Sequence, residues 1–227
     1  MADFPQALYT FNQNLGEVNR LVAIHRRIAG SGQGRKHDVQ VLNKSGVVLI
    51  VACWEACIED LVSSALEYMI DKATSHDLIP DNVLERVASK HSGNKAWDLA
   101  GDGWKKALKD NLKEVLARTT GNLNTPRAPQ VNELCNKSLG LKKLSSSWHW
   151  TRSTAAQNEG RLDRLVTLRG SIAHRVATSD SVHKVSVTKG RELVCRLAVK
   201  SSNRIRTHVH GVVGTHPWAS ARYKKTS

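Results

Sequence analysis

Apolar residues recur at intervals of three and four along most of the chain. From residue 6 to 28, Leu8, Phe11, Leu15, Val18, Leu21, Val22 and Ile24 keep that spacing, which predicts an amphipathic helix with Arg26 and Arg27 at its C-terminal end. Gly30-Ser31-Gly32-Gln33-Gly34 predicts a turn after it, and this run lacks the Gly-Lys-Ser or Gly-Lys-Thr ending of a phosphate loop. The longest apolar run, residues 47–54, is followed at once by Glu55, Glu59 and Asp60. It is far short of the about 20 residues that a bilayer asks for, so it predicts a central core helix reaching Ile70, and no membrane is expected as a partner. The β-branched residues at its start fit a strand as well as a helix, whereas the spacing of Trp54, Ile58, Leu61, Ala65 and Met69 favours helix.

Residues 78–87 read as a turn and a short helix. Residues 104–117 set Leu108, Leu112, Val115 and Leu116 on one side and Lys105, Lys106, Lys109 and Lys113 elsewhere. Residues 119–130, with Pro126 and Pro129, read as a loop, and residues 131–139 as a helix stopped by Gly140. Leu162, Leu165, Val166, Leu168, Ile172, Ala173 and Val176 form a helical stripe through residues 160–177, and a last helix is predicted over 192–209. After it, Gly211 and Gly214 interrupt His208, His210 and His216, which argues for a disordered or docked tail rather than a metal site. The expected fold is all-α: a helical domain over residues 1–180 with irregular loops, and a basic C-terminal helix and tail over 181–227 packed on the same domain.

Composition agrees with that reading, because an aromatic share of 5% is low for a β-sandwich. Charge adds more. Residues 161–227 hold 14 Lys and Arg against 3 Asp and Glu, whereas residues 1–160 hold 20 against 17, so most of the net +14 is C-terminal. Such a field attracts polyanions, RNA or DNA phosphate above all, although an anionic membrane surface or an acidic partner protein answers the same charge. The first residues, Met1-Ala2-Asp3-Phe4-Pro5, show no basic segment followed by an apolar one, and the expected location is the cytoplasm.

Cys53, Cys57, Cys135 and Cys195 are too few and too scattered for a disulfide framework and read as buried thiols. Glu55, Glu59 and Asp60 have no histidines beside them and read as a solvent face or helix-terminal contacts, so neither a metal nor another cofactor is expected. Residues 148–152, Trp-His-Trp-Thr-Arg, form an aromatic and basic cluster in which Trp148 and Trp150 serve either core packing or base stacking. Around the late stripe, Arg161, Arg164, Arg169, His174 and Arg175 supply a basic remainder, and Gly170 in mid-helix invites a close approach as its reason. Arg169 and His174 lie about 7.5 Å apart along a helix axis and about 140° around it. Histidine transfers protons near neutral pH, and arginine offers a charged planar fork to phosphate. One such pair is sparse for phosphodiester cleavage, and a symmetric dimer supplies two.

The order Arg169-Gly170-Ser171-Ile172-Ala173-His174, together with residues 52–61 and 132–141 ahead of it, resembles the RiboL-PSP-HEPN branch of the HEPN superfamily over roughly residues 45–180. The resemblance implies an all-helical bundle that forms a homodimer with its motifs facing each other. It also implies a metal-independent endoribonuclease that leaves 2′,3′-cyclic phosphate and 5′-hydroxyl ends, in the manner of a toxin or antiviral effector with an antitoxin or defence-system partner. On it, Arg169 neutralises the scissile phosphate and His174 transfers the proton. Ser171 takes the polar role that many members give to the residue after the arginine, here Gly170. Arg161, Arg164, Arg175, Trp148, Trp150 and Arg152 are then the expected RNA contacts. A non-catalytic RNA-binding or partner-docking module is the alternative.

Overall fold

The computed structural model describes residues 3–29, 39–119, 123, 125–174 and 182–224; of Ala29, Lys113, residues 115–119 and His174 it describes the backbone alone. Among them are seven α-helices: α1 (Gln6–Ala29), α2 (Gln40–Lys72), α3 (Asp81–Ala88), α4 (Gly103–Thr119), α5 (Ala128–Leu139), α6 (Ala155–His174) and α7 (Lys184–Val213). The only β-type pairing among the described residues is an isolated bridge between Trp150 and Ser153. The fold is thus the all-α bundle that the periodicity predicts. The glycine turn at residues 30–34, the boundary expected near residue 180, the side chains of Val115 and Leu116, and Arg175 and Val176 lie outside the described residues.

Helix α2 is the axis of the bundle. Val47, Ile50, Trp54, Cys57, Ile58, Leu61, Val62, Ala65, Leu66 and Met69 are almost completely buried and form one broad face, while Asp60, Ser64, Glu67 and Asp71 are exposed on the other. Its β-branched beginning is helical, and the helix starts at Gln40, well before the apolar run. Lower helix propensity costs a few tenths of a kcal/mol per residue, whereas burying a Val or Ile side chain contributes about 1.5–3 kcal/mol. Asn43, buried in these first turns, donates from Nδ2 to the Val182 carbonyl at 2.9 Å and so retains a partner.

Leu8, Phe11, Leu15 and Val18 pack α1 on one flank of α2, and α7 lies along another through Val187, Val194, Leu197, Ala198, Ile205 and Val209. At Gly46 the two long helices touch closely: a Cβ there would sit 3.0 Å from Val187 Cγ1. Helix α7 therefore contributes to the same buried core as α1 and α2. It also begins eight residues before the predicted start and continues through Gly211 to Val213, where Gly214 (φ 76°) ends it. The tail beyond is docked: Trp218 and Ala221 are buried, Arg206 Nε donates to the Trp218 carbonyl at 2.7 Å, and Ala219 N–H donates to the Asp3 carbonyl at 2.9 Å.

The tryptophan cluster splits in two. Trp148 is wholly buried, edge-on to Trp54 with ring centroids 5.7 Å apart, and its Nε1 donates to Ser201 Oγ at 2.9 Å. An indole so enclosed has no face for a base, which corrects the RNA contact expected of Trp148 and selects core packing. Trp150 is half-buried at the surface. The four thiols are free; Cys53, Cys57 and Cys135 are buried and Cys195 partly so.

Candidate active site on α6

The start of α6 is held by a reciprocal capping box. Thr154 N–H donates to Gln157 Oε1 at 3.0 Å, and Gln157 N–H donates to Thr154 Oγ1 at 3.3 Å, satisfying two otherwise unpaired donors of the first turn. Below it, buried Asn158 donates from Nδ2 to the Trp148 carbonyl at 2.8 Å and accepts from Ser153 Oγ and from Arg161 Nη1. One turn further on, Arg127 forms an ion pair with Asp163 and donates from Nη2 to Thr167 Oγ1 at 3.0 Å, pinning α6 to the segment before α5. The helix is thereby fixed in rotation, and its two sides face different neighbours.

One side faces α2. Arg169 is half-buried there, and its charge lowers the carboxyl pKa of Glu55 against the larger effect of burial, which raises it. No direct ion pair joins the two among the described residues. One turn along α2, Glu59 is pushed up to about 7 by burial and then by the charges of Glu55 and Asp60, with the Leu123 N–H opposing the shift. Glu55 and Glu59 are therefore not a plain solvent face: both are partly buried, and Glu55 lies near the arginine, whereas Asp60 is exposed. Arg169 likewise lies on the α2-facing side of its helix rather than apart from the packed stripe. His174 is the last residue of α6, and its side chain lies outside the description. Ser171 is exposed and donates from Oγ to the Thr167 carbonyl at 3.0 Å, leaving its lone pairs open to a ligand. A Cβ at Gly170 would meet nothing within 4 Å, so no described residue makes the close approach that a mid-helix glycine invites.

The other side faces α7. Trp150, Arg161, Arg164, Leu165 and Leu168 line a cavity of about 550 Å³ with residues of α7. Three of the expected RNA contacts, Trp150, Arg161 and Arg164, thus converge. Arg152 does not join them: it is exposed in the turn between Trp150 and Ser153, at a left-handed φ of 64°. Arg175 lies outside the described residues. The sequence reading missed the α7 half of this wall, Lys189, Glu192 and Arg196. The signal was available in the seven-residue spacing of Lys189 and Arg196 and in the Glu192–Arg196 pair one turn apart, but a helix begun at residue 192 leaves Lys189 outside it.

Among the described residues no group of three or more His, Cys, Asp or Glu is arranged to hold a metal ion. None of their helices is long and apolar enough to cross a membrane.

A helical bundle with an arginine and a histidine five residues apart at the end of a late helix has the organisation of a HEPN domain. The family model described as RiboL-PSP-HEPN matches residues 10–206, and the chain belongs to that family. The match runs from α1 into α7 and so contains both sides of α6. No curated protein and no solved structure matches the chain. Membership supports a nuclease or RNA-related role.

Proposed function

We propose that the protein is a metal-independent endoribonuclease. The observation that carries the reading is the placement of Arg169 and His174 at the C-terminal end of α6 in a RiboL-PSP-HEPN chain. In the reaction the ribose 2′-oxygen attacks phosphorus, the bond to the 5′-oxygen breaks, and a 2′,3′-cyclic phosphate and a 5′-hydroxyl result. His174 transfers the proton, and Arg169 neutralises charge on the phosphoryl oxygens. Ser171 supplies a hydroxyl one turn from Thr167, on the exposed part of the helix. A homodimer that brings two copies of the pair to one cleft completes a set that is sparse in one chain, and the open space at Gly170 supports an approach there. The reading extends to a cytoplasmic toxin or antiviral effector, with the net charge of +14 inviting an acidic antitoxin or defence-system partner.

End-labelled RNA incubated with the full chain in excess chelator tests the chemistry. His174→Ala should lower the cleavage rate by about 10²–10⁴-fold, and Arg169→Ala by about 10²–10³-fold, with cyclic phosphate ends on the wild-type products. A His174→Ala protein that cuts at the wild-type rate overturns the assignment.

A second reading, an RNA-binding or partner-docking module without cleavage, is favoured by the cations on the α7 side of α6. Arg164 is five residues before Arg169, about 140° away around the helix, so those cations bind without reaching the reaction site. Intact RNA together with binding that weakens steeply with salt selects this reading.

A further inference from the structure

The cavity of about 550 Å³ between α6 and α7 is layered by depth. Leu165 and Leu193 are buried in it and Leu168 is half-buried, whereas Arg164 and Lys189, from opposite helices, are exposed. Its interior is thus aliphatic and its mouth cationic on both sides. Gly190 lets the helices close over that interior, because a Cβ at this position would lie 3.0 Å from Leu165 Cδ1.

The charged groups around it are committed to different degrees. Arg196 donates to Glu192 Oε1 at 2.9 Å, which occupies the one acid among the described lining residues. Arg161 donates to Ser153 Oγ and Asn158 Oδ1, each at 3.0 Å. Arg164 and Lys189 have no ion-pair partner among the described residues. Two cations facing one cavity without a carboxylate repel each other until an anion enters.

Two features restrict that anion. The Arg196 guanidinium lies over the rings of Trp150 (5.3 Å) and Tyr223 (4.3 Å), and Trp150 also packs against the core, so these aromatics are already engaged within the chain. The surface left to a ligand is leucine, which suits an aliphatic side chain. Cations on both rims with an apolar floor between them ask for negative charge on either side of an aliphatic group. A fatty acid carries its charge at one end only, and a lone small carboxylate leaves the leucines unused. A peptide presents both kinds of group on successive side chains.

We infer that the cavity receives a short acidic segment of a partner protein, with a leucine-type side chain on the floor of Leu165, Leu168 and Leu193 and carboxylates at Arg164 and Lys189. The net charge of +14 draws such a partner in from longer range. This deepens the partner-docking reading above and rests on it, but on neither cleavage nor an RNA contact.

Calorimetric titration of the full chain with the acetylated and amidated hexapeptide Glu-Glu-Leu-Leu-Glu-Glu tests this at constant ionic strength. The hexapeptide should bind at least tenfold more tightly than an analogue with Gln for each Glu, or one with Ala for each Leu. Arg164→Ala with Lys189→Ala should weaken it by about a hundredfold, about tenfold for each charge-assisted contact. Both residues are exposed, so folding should survive, as circular dichroism will verify. A control that removes the same charge elsewhere, Lys106→Ala with Lys142→Ala, should change affinity by less than about twofold. Absence of hexapeptide binding, an alanine analogue of equal affinity, an undiminished double variant, or an equal loss in the control overturns the docking site. A 2′-O-methyl oligoribonucleotide that loses affinity in the double variant while the hexapeptide fails to bind gives the cavity to RNA instead. Hexapeptide binding retained in a His174→Ala protein that no longer cleaves separates the site from the fate of the nuclease reading.

Discussion

Toward α2, helix α6 presents Arg169 to the carboxyl of Glu55, one turn from Glu59; toward α7 it presents Arg164 to Lys189 across a cavity whose one acid is already bound to Arg196. The same residue type stands in opposite electrical company. Near carboxylates an arginine is oriented before any substrate arrives, but a phosphate must displace part of that attraction. Across from another cation it gains from a phosphate outright. The contrast argues for a division of labour, with grip on the α7 side and chemistry on the α2 side, and it is open to direct tests.

The largest expected effect is a crossing of kinetic constants. Arg169→Ala should lower kcat by about 10²–10³-fold with RNA affinity changed little, whereas Arg164→Ala should raise KM by about tenfold with kcat retained. Single-turnover cleavage and binding of a non-cleavable RNA measure the two separately. If both variants act on the same constant, the two sides form one site.

Next in size is a pH effect confined to the α2 side. A carboxyl whose pKa is raised to about 7 on folding stabilises the fold fully below its ordinary value of 4.5, and this contribution is lost as pH rises through 7. The wild type should therefore lose about 2 kcal/mol between pH 5 and pH 8 from Glu59, after allowing for its partial exposure. Urea denaturation of Glu59→Gln should show a flatter profile over that window, and an unchanged slope refutes the assignment. Glycines give the smallest effects and again distinguish the sides. Gly190→Ala presses on Leu165 and should cost about 1 kcal/mol or more, whereas Gly170→Ala meets open space and should stabilise an isolated chain by about 0.5–1 kcal/mol. Loss of stability in Gly170→Ala would place a second backbone against that helix.

What the amino-acid pattern revealed follows the range of the forces involved. Helices with one buried stripe, such as α1 and α5, were legible because a period of 3.6 is a local property. So was the arginine-to-histidine spacing. The first turns of α7 were not: Val185, Val187 and Thr188 are weak helix formers and Gly190 a poor one, and only the contacts of Val187 with Gly46 and of Gly190 with Leu165 make helix the outcome there. Glu55 carried no local sign of facing an arginine more than a hundred residues away. The cavity is less legible still, since it exists only where two helices leave space between them. Because the tail is docked, removing residues after Gly211 would strip the core of buried Trp218 and so destabilise the fold as well as reduce its charge.

The buried thiols provide a clock. Cys57 in α2 and Cys135 in α5 are sealed from solvent, and burial holds the first well above its ordinary pKa and pushes the second up to about 12. Alkylating reagents attack the thiolate, so neither sulfur reacts until its helix opens. Labelling rates at these two positions therefore count opening events of the axial helix and of its neighbour separately, and Cys195, only partly covered on α7, marks the smaller fluctuations at the rim.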